Sequence, residues 1–536
     1  MPLLLAIALP AQSTPAAEPT PKRIGQVLKE LPAPACCAMG ITWDGSALWV
    51  ADRKVNKLFK LDPNTGRVLA ELPTPGLRPT GLTWDGSYLW VADRDRDELF
   101  RLNPSSGVVD RVYKTPLKAP RGLAWDGECL WVAEARTDTL YCLDPDDGTV
   151  SRTLPAPSGA TTGMTFDGKY LWVADRGADE LYKIDPKRGH VVGILPSPGP
   201  HPYGLAWDGK RLWVGDYQQR KLARLNVTQG PALLASEQKK LRVEYTVHFF
   251  SQGPDPVQTA DIYIALPENR YHQSIQNGPR FTPEPDAIVE DNWGQKLAHF
   301  HRRNLAAGSY SEYAMAVDST LTRTRFWIDP DKVKSYGTID RRMRDQYLSN
   351  SSKYHLDSPI VVEAAREAVA GETHPYWMAR NIYQYVLGKL DYSREGGWDP
   401  VPLLLSRSTG SCSEYSFVLI ALCRAAGIPA RYVAGIVTRG DDAFVDNVFH
   451  RWVEIYLPGY GWIPVDADRG DKPTPRGQAM GFGGIDNTLL VTTVAGGESN
   501  LLGWRYNSNT LWTFTGRTRV YVEQIGELAP IGNEGE

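Results

Sequence analysis

One stretch of the chain concentrates residues able to do nucleophilic chemistry: STGSCSEYSFVLIALCRAAGIPARYVAGIV, followed by HRWVEIYLPGYGWIPVDAD. Ser411 and Glu414 have the S-x-x-E spacing of a capping box, so a helix is expected to start at Cys412 and run to Ala426, where Gly427 stops it. At the first residue of a helix, unpaired backbone N–H groups and the positive dipole end favour thiolate over thiol, which activates a weak nucleophile. Cys423, about three turns further along the same helix, lacks that field and reads as a buried apolar filler. A thiolate nucleophile needs a base, and His450 is the one histidine after Cys412. In a strand, His450, Trp452, Glu454 and Tyr456 share a face. Pro458 to Gly461 read as a hairpin turn. With the hairpin centred on Gly459, Asp466 falls opposite Trp452, one diagonal step of about 7 Å from His450. Cys412, His450 and Asp466 then carry the roles of nucleophile, base and orienting acid.

The chemistry those roles allow is acyl transfer. Cys412 attacks an amide carbonyl, His450 protonates the departing amine, and a thioester remains. The backbone N–H of Cys412 is a natural oxyanion donor. Trp398 and Trp452 are further candidates for the substrate or oxyanion site, while Arg431 and Glu414 read as structural. Water resolving the thioester gives a protease or amidase, and an amine gives a cross-linking transglutaminase; the residues alone leave both open. Asp441, Asp442 and Asp446 form a loop that could attract calcium, with a solvated turn as the favoured reading.

These motifs resemble the transglutaminase-like superfamily, in its bacterial, papain-related branch, where GxCxEYSxxxxALxRAxGIPARYVxG is followed by H-x-W-x-E and G-W-x-P-V-D. The resemblance is dense from Thr409 to Asp466 and extends over Leu241 to about Leu528. It implies a papain-like catalytic core with Cys412, His450 and Asp466 as its triad; a protein or peptide substrate and no cofactor are expected, and six cysteines with no C-x-x-C pair and no zinc-spaced Cys/His cluster argue against a metal site. Exported bacterial members are more often hydrolases, so hydrolysis is the favoured outcome, with cross-linking and a catalytically inert binding protein as the alternatives. Arg451 departs from the small residue often found between the His and the Trp, a departure expected to bear on substrate access.

What must position this site is a multidomain chain of 536 residues, mainly β with an α+β part. Helical periodicity appears at Pro359–Glu372 and Trp377–Lys389, within an expected catalytic domain at 357–528 and before a tail at 529–536. A connector is expected at 331–356, behind a β-sandwich at 238–330 built from alternating strands such as LRVEYTVHFF and ADIYIALP. His299 and His301 lie on one strand face of that sandwich, with no third metal ligand evident in sequence, and read as ordinary surface histidines.

The N-terminal half is repetitive: GITWDGSALWVAD at Gly40 returns at Gly81, Gly122, Gly163 and Gly204, a constant period of 41 residues. That period fits a four-stranded blade, so residues 22–235 are expected to form a five-bladed β-propeller resembling bacterial propellers of the YncE and glutamine-cyclotransferase kind. The fifth repeat fades after Leu225, and Ile24–Pro32 matches a fourth strand with no blade before it. The N-terminal strand should therefore complete the last blade. The Trp at 43, 84, 125 and 207 and the Asp of each Asp-Gly recur identically, which assigns them to packing and turns rather than to a ligand. Cys129 and Cys142 both depart from the repeat within one hairpin, a possible disulfide. The adjacent pair Cys36 and Cys37 has no evident role.

Lys and Arg total 59 against 62 Asp and Glu, with no basic block, which argues against nucleic acid as a partner. The apolar run Leu3–Leu9 before Ala11-Gln12-Ser13 resembles a signal peptide, with a linker to residue 21, so an extracytoplasmic location, periplasmic or secreted, is expected. No later segment has the roughly 18 uninterrupted apolar residues of a membrane span. The propeller is expected to bind a protein or a cell-surface polymer.

Overall fold

The structure, a computed structural model, describes residues 23–114, 118–228, 230, 232–394, 397–440 and 442–531. The export segment expected at residues 1–21 lies outside the described residues.

Asp-Gly is the seed of each blade. Asp44 Oδ1 accepts the backbone N–H groups of Ser46 and Ala47 at 2.9 and 2.8 Å, which fixes the hairpin, and Oδ2 accepts the indole N–H of Trp49 at 2.9 Å. The same Asp-to-indole bond recurs at Trp90, Trp131, Trp172 and Trp213, at 2.7, 2.7, 2.9 and 3.0 Å. The tryptophan the turn holds is thus the fully buried one of LWV, whereas Trp43 and its equivalents sit half-buried at the strand end. Four four-stranded antiparallel sheets follow one another along the chain, the first from Ala38–Trp43, Leu48–Asp52, Lys57–Leu61 and Val68–Pro73. The fifth takes Pro202–Trp207, Leu212–Asp216 and Lys221–Leu225 from its own repeat and its outer strand, Val27–Pro32, from the N-terminus. The result is a five-bladed propeller whose ring is closed by its first strand.

The repeated glycine is explained by the contact between blades. A Cβ on Gly40 would lie 2.7 Å from the Leu82 backbone nitrogen, and one on Gly81 or Gly163 would overlap the carbonyl oxygen of Arg121 or Tyr203. The innermost strands therefore meet backbone to backbone, a closeness only glycine permits. In the third blade Cys129 and Cys142, with Cα atoms 5.6 Å apart, form a disulfide.

The sandwich packs two sheets around Val243, Tyr245, Val247, Ile262, Phe300 and Val317. Its larger sheet centres on Leu233–Pro254 and Tyr310–Phe326, and its smaller on Val257–Ala265 and Lys296–Leu305. Each sheet also takes a strand from the C-terminus: Thr518–Pro530 pairs with Leu233–Pro254, and Ser508–Phe514 with Val257–Ala265. The expected division at 528, with a tail beyond it, is thereby corrected. Ala529 and Pro530 are strand residues opposite Arg242 and Leu241, a pairing too distant in sequence for local periodicity to reveal.

The catalytic region stacks helices Pro359–Val369, Pro375–Lys389, Val401–Arg407 and Cys412–Ala425 against a four-stranded sheet of Gly461–Val465, His450–Leu457, Ala430–Val437 and Leu489–Ala495. Every residue from Ser413 to Arg424 is buried, so the Cys412 helix is a central one enclosed by the others. The propeller's fourth blade packs against this region. Trp172 stacks on Trp327 with centroids 6.0 Å apart, Arg188 pairs with Glu372 at 2.9 Å, and Arg476 grips Glu180 through two bonds of 2.7 and 3.0 Å. Among the described residues, no helix is long and apolar enough to cross a membrane.

The blade contact makes a direct prediction. Gly81→Ala forces a methyl into the Arg121 carbonyl and should cost roughly 1–3 kcal/mol, seen as a drop of several degrees in the calorimetric unfolding midpoint. Gly388→Ala, a helical position where the methyl meets nothing within 4 Å, should leave that midpoint unchanged or raise it. Equal behaviour of the two variants would show that the blades do not meet as described.

Candidate active site

Cys412 opens its helix as the spacing requires. Glu414 folds back so that Oε2 accepts the N–H of Ser411 at 2.7 Å and its hydroxyl at 2.6 Å, forming the capping box. Glu414 Oε1 also accepts the N–H of Trp398 at 3.1 Å, so this fully buried carboxylate ties the start of the helix to the loop before it. That is the structural role expected of Glu414. Arg431 is structural too, pairing through Nε and Nη2 with Glu454 Oε2 at 3.0 and 2.8 Å.

The hairpin carries the base and the acid. Val453 pairs with Val465 and Leu457 with Gly461, the register centred on Gly459. Asp466 leaves the sheet at the next residue and becomes the N-cap of the short helix Ala467–Gly470, its Oδ1 accepting the Arg469 N–H at 3.0 Å. Its other oxygen, Oδ2, lies 2.7 Å from Nε2 of His450. A ring nitrogen of His450, Sγ of Cys412 and a carboxylate oxygen of Asp468 all fall within 4.8 Å of one another. The structure thus brings Cys412, His450 and Asp466 together and adds Asp468, whose Oδ2 is 3.9 Å from His450 Nδ1.

Charge follows this geometry. Burial opposes protonation of His450, but the Asp466 carboxylate and the Cys412 sulfur outweigh it and hold the imidazolium well above the ordinary histidine range. Burial likewise opposes ionisation of Asp466, and the His450 charge overcomes it, keeping the carboxyl below the usual range. Asp468 behaves the other way: burial and then the negative charge of Asp466 push it up to about 6. Burial pushes the Cys423 thiol up as well, in keeping with an inert filler.

The residues beside His450 have clear tasks. Asp446 is buried rather than solvated, its oxygens accepting the N–H groups of Val437 at 2.9 Å and of Val448 and Phe449 at 3.2 Å each. It holds Phe449 in a left-handed conformation at φ 56°, just before the base. Its oxygens are spent on backbone, which replaces the solvated-turn and calcium readings at Asp446; Asp442 is exposed, in keeping with a solvated turn, and Asp441 lies outside the described residues. Trp452 is buried, and its ring stacks under His450 with centroids 5.7 Å apart, so it seats the imidazole and does not face substrate. Trp398 does line a cavity, of about 500 Å³, together with Phe449, Tyr506 and Tyr521. Arg451 is fully buried and so plays no direct part in access. Its guanidinium lies between Trp398, Phe417, Tyr432 and Tyr506, at 5.1, 5.0, 4.7 and 4.5 Å, and donates to the Trp504 carbonyl.

Away from this site, His299 and His301 gain a third neighbour that sequence reading missed. Asp261, on the paired strand, has Oδ1 2.8 Å from each ring. A cross-strand partner leaves no signal in local spacing.

A cysteine at a central helix start, facing a histidine on the adjoining antiparallel sheet and an aspartate just past the end of that sheet, defines a thiol-enzyme type of domain. Residues 362–467 are a transglutaminase-like superfamily domain. An uncharacterized protein of Haemophilus influenzae is 29% identical over 145 residues, 23% of this chain and 39% of that protein, so the match spans about two fifths of its length. A solved structure of a proposed cysteine protease from Cytophaga hutchinsonii covers 57% of this chain and 94% of its own at 14% identity and a TM-score of 0.41. The glutaminyl cyclase of Myxococcus xanthus covers 39% of this chain and 99% of its own at 15% identity and a TM-score of 0.35.

Two outcomes are expected. Limiting iodoacetamide at neutral pH should alkylate Cys412 well before Cys423, as read by peptide mass spectrometry, and equal slow labelling would count against an activated sulfur. A carboxyl raised in the folded state stabilises the fold below its ordinary value of 3.8, and that stability is lost as pH rises through about 6. Asp468→Asn should therefore be more stable than wild type at pH 8, by up to about 3 kcal/mol, with the advantage gone at pH 4. A pH-independent difference would remove Asp468 from the electrostatics of the site.

Proposed function

We propose that the chain is an exported thiol enzyme that cleaves peptide or amide bonds in a protein or peptide substrate, using Cys412, His450 and Asp466 and a thioester intermediate. The observation that carries this reading is the contiguity of the three groups: Asp466 bonded to His450 at 2.7 Å, and His450 and Cys412 each offering an atom within 4.8 Å of the other.

In the first half-reaction the Cys412 sulfur attacks the carbonyl carbon and forms the C–S bond. The developing oxyanion finds the Cys412 N–H, one of the unpaired donors at the helix start. Breakdown breaks the C–N bond, and the proton on His450 goes to the departing amine. The Asp466 carboxylate serves this step by keeping the imidazolium charged and oriented while it waits. In the second half-reaction His450, now neutral, takes a proton from water as the oxygen attacks the thioester, releasing the acid and restoring Cys412. Both substituents of the scissile bond need room beside the sulfur, and the cleft walled by Trp398, Phe449 and Tyr506 offers an aromatic surface for one of them.

Incubating the full chain with casein, with and without a fluorescent primary amine, tests the proposal. Wild type should release peptides and incorporate little amine, and Cys412→Ala should do neither. Efficient incorporation without cleavage would replace hydrolysis by amine transfer, and activity retained in Cys412→Ala would end the assignment.

A further inference from the structure

The repeat offers a control that few sites have: five copies of one environment, against which a departure stands out. The residue just before each repeated glycine is Met39, Thr80, Arg121, Thr162 and Tyr203. Thr80 and Thr162 use their hydroxyls to bond the next blade, at the carbonyls of Pro120 and Pro202, at 2.7 and 2.8 Å. Arg121 makes the equivalent bond from Nη1 to the Thr161 carbonyl at 3.0 Å. The blade-to-blade link therefore does not need an arginine there. Arg121 is only 9% exposed, and among the described residues its Nε has no hydrogen-bond partner. A buried guanidinium donor left unpaired is costly and calls for an acceptor.

Its surroundings supply more positive charge. The residue after each strand ending in LWVAD, LWVAE or LWVGD is Arg53, Arg94, Ala135, Arg176 and Tyr217. These positions lie on loops at one end of the propeller, opposite the Asp-Gly hairpins. Two cavities open among these loops: one of about 390 Å³, lined by Arg78, Arg94, Arg121 and Arg136, and one of about 450 Å³, lined by Arg53, Arg176, His201, Tyr203 and Tyr217. Most carboxylates nearby are already engaged, the exception being Asp216, beside Tyr217, whose buried Oδ2 has no hydrogen-bond partner among the described residues. Asp93, Glu134 and Asp175 accept backbone N–H groups of their own loops, Asp95 pairs with Arg78 at 3.3 Å, and Asp97 with Lys118 at 3.0 Å. Burial and the charges of Arg176 and Arg94 pull Arg121 below the ordinary arginine range, against the pull of Tyr203 and Asp138. Arg121 thus has two guanidinium neighbours, Arg94 and Arg176, in a mouth whose first cavity is also lined by the paired Asp95 and Asp97.

We infer that the loop-bearing mouth of the propeller binds an anionic group, a carboxylate or a phosphate, with Arg121 as its buried anchor and Arg94 and Arg176 beside it. Guanidinium is suited to the task, because its planar N–H fork matches the oxygens of either group. Tyr203 and Tyr217, with ring centroids 6.0 Å apart, give the second cavity an aromatic wall against which the body of such a ligand can rest. The site lies wholly within the propeller and is independent of the chemistry at Cys412.

Isothermal titration of the full chain at low ionic strength, with inorganic phosphate in one arm and citrate in the other, tests this. Wild type should bind at least one of them saturably, with affinity falling as salt is added. Arg121→Thr, which installs the residue two other blades carry at this position, should keep the fold and weaken binding at least tenfold. Arg176→Gln, an exposed position, should weaken it as well and supplies the readout if the first variant unfolds. Preference for phosphate or for citrate tells phosphorylated from carboxylated ligands, and either supports the site. Absence of binding to both anions in wild type, or unchanged affinity in a folded Arg121→Thr or in Arg176→Gln, overturns it.

Discussion

The arrangement of the catalytic region depends on one buried contact, the 2.7 Å bond between His450 and Asp466. Each partner alone would be disfavoured as an ion by its burial, and each is kept ionic by the other. Such a pair tolerates little displacement, since a buried charge that loses its counterion costs several kcal/mol. Its two members enter from different directions. His450 begins a strand, and Asp466 caps a helix of four residues, so the end of the hairpin has to be held firmly.

The restraints on that end converge from three sides. From the nucleophile helix, the Tyr415 hydroxyl reaches both the Leu390 carbonyl at 2.5 Å and Asp471 at 3.0 Å. From the helix Pro375–Lys389, the Tyr383 hydroxyl donates to the Gln478 carbonyl at 2.6 Å. From the propeller, Glu180 binds Arg476, and the Pro157 carbonyl accepts the Arg476 N–H at 3.2 Å. The fourth blade is therefore part of the frame that holds the segment after Asp466. Fusion of propeller and catalytic domain is mechanical here, whatever the propeller's mouth binds.

What could be read from sequence was what is local or periodic. The start of the Cys412 helix follows from four consecutive residues, the hairpin register from one glycine turn, and the blades from a period that never slips. What escaped was set by partners far along the chain. The final strand of each sandwich sheet comes from residues more than 200 positions after the strand it joins. Asp261 completes a cluster with His299 and His301 across a strand pair. Trp452 shares a strand face with His450, which is why it reads as a site residue, yet burial decides that it supports the ring from beneath. Asp468 sits in plain view two residues after Asp466, but only the turn into a short helix swings it toward His450 Nδ1.

Arg451 shows why residue type alone misleads. A cation between His450 and Trp452 looks like a gate at the site, but alternation along the strand points it to the opposite face from the base. There it meets no carboxylate among the described residues, and four aromatic rings and a backbone carbonyl are its company. Aromatic faces carry negative charge density, and each desolvated contact of this kind is worth about 2 kcal/mol. Several together offset much of the cost of burying a guanidinium whose Nε and Nη1 have no hydrogen-bond partner among the described residues. Two of those rings, Trp398 and Tyr506, also wall the cavity lined by Phe449, the residue before the base. The cation behind them fixes their planes without touching anything in the cleft, so Arg451 bears on substrate only through the shape of the wall it holds.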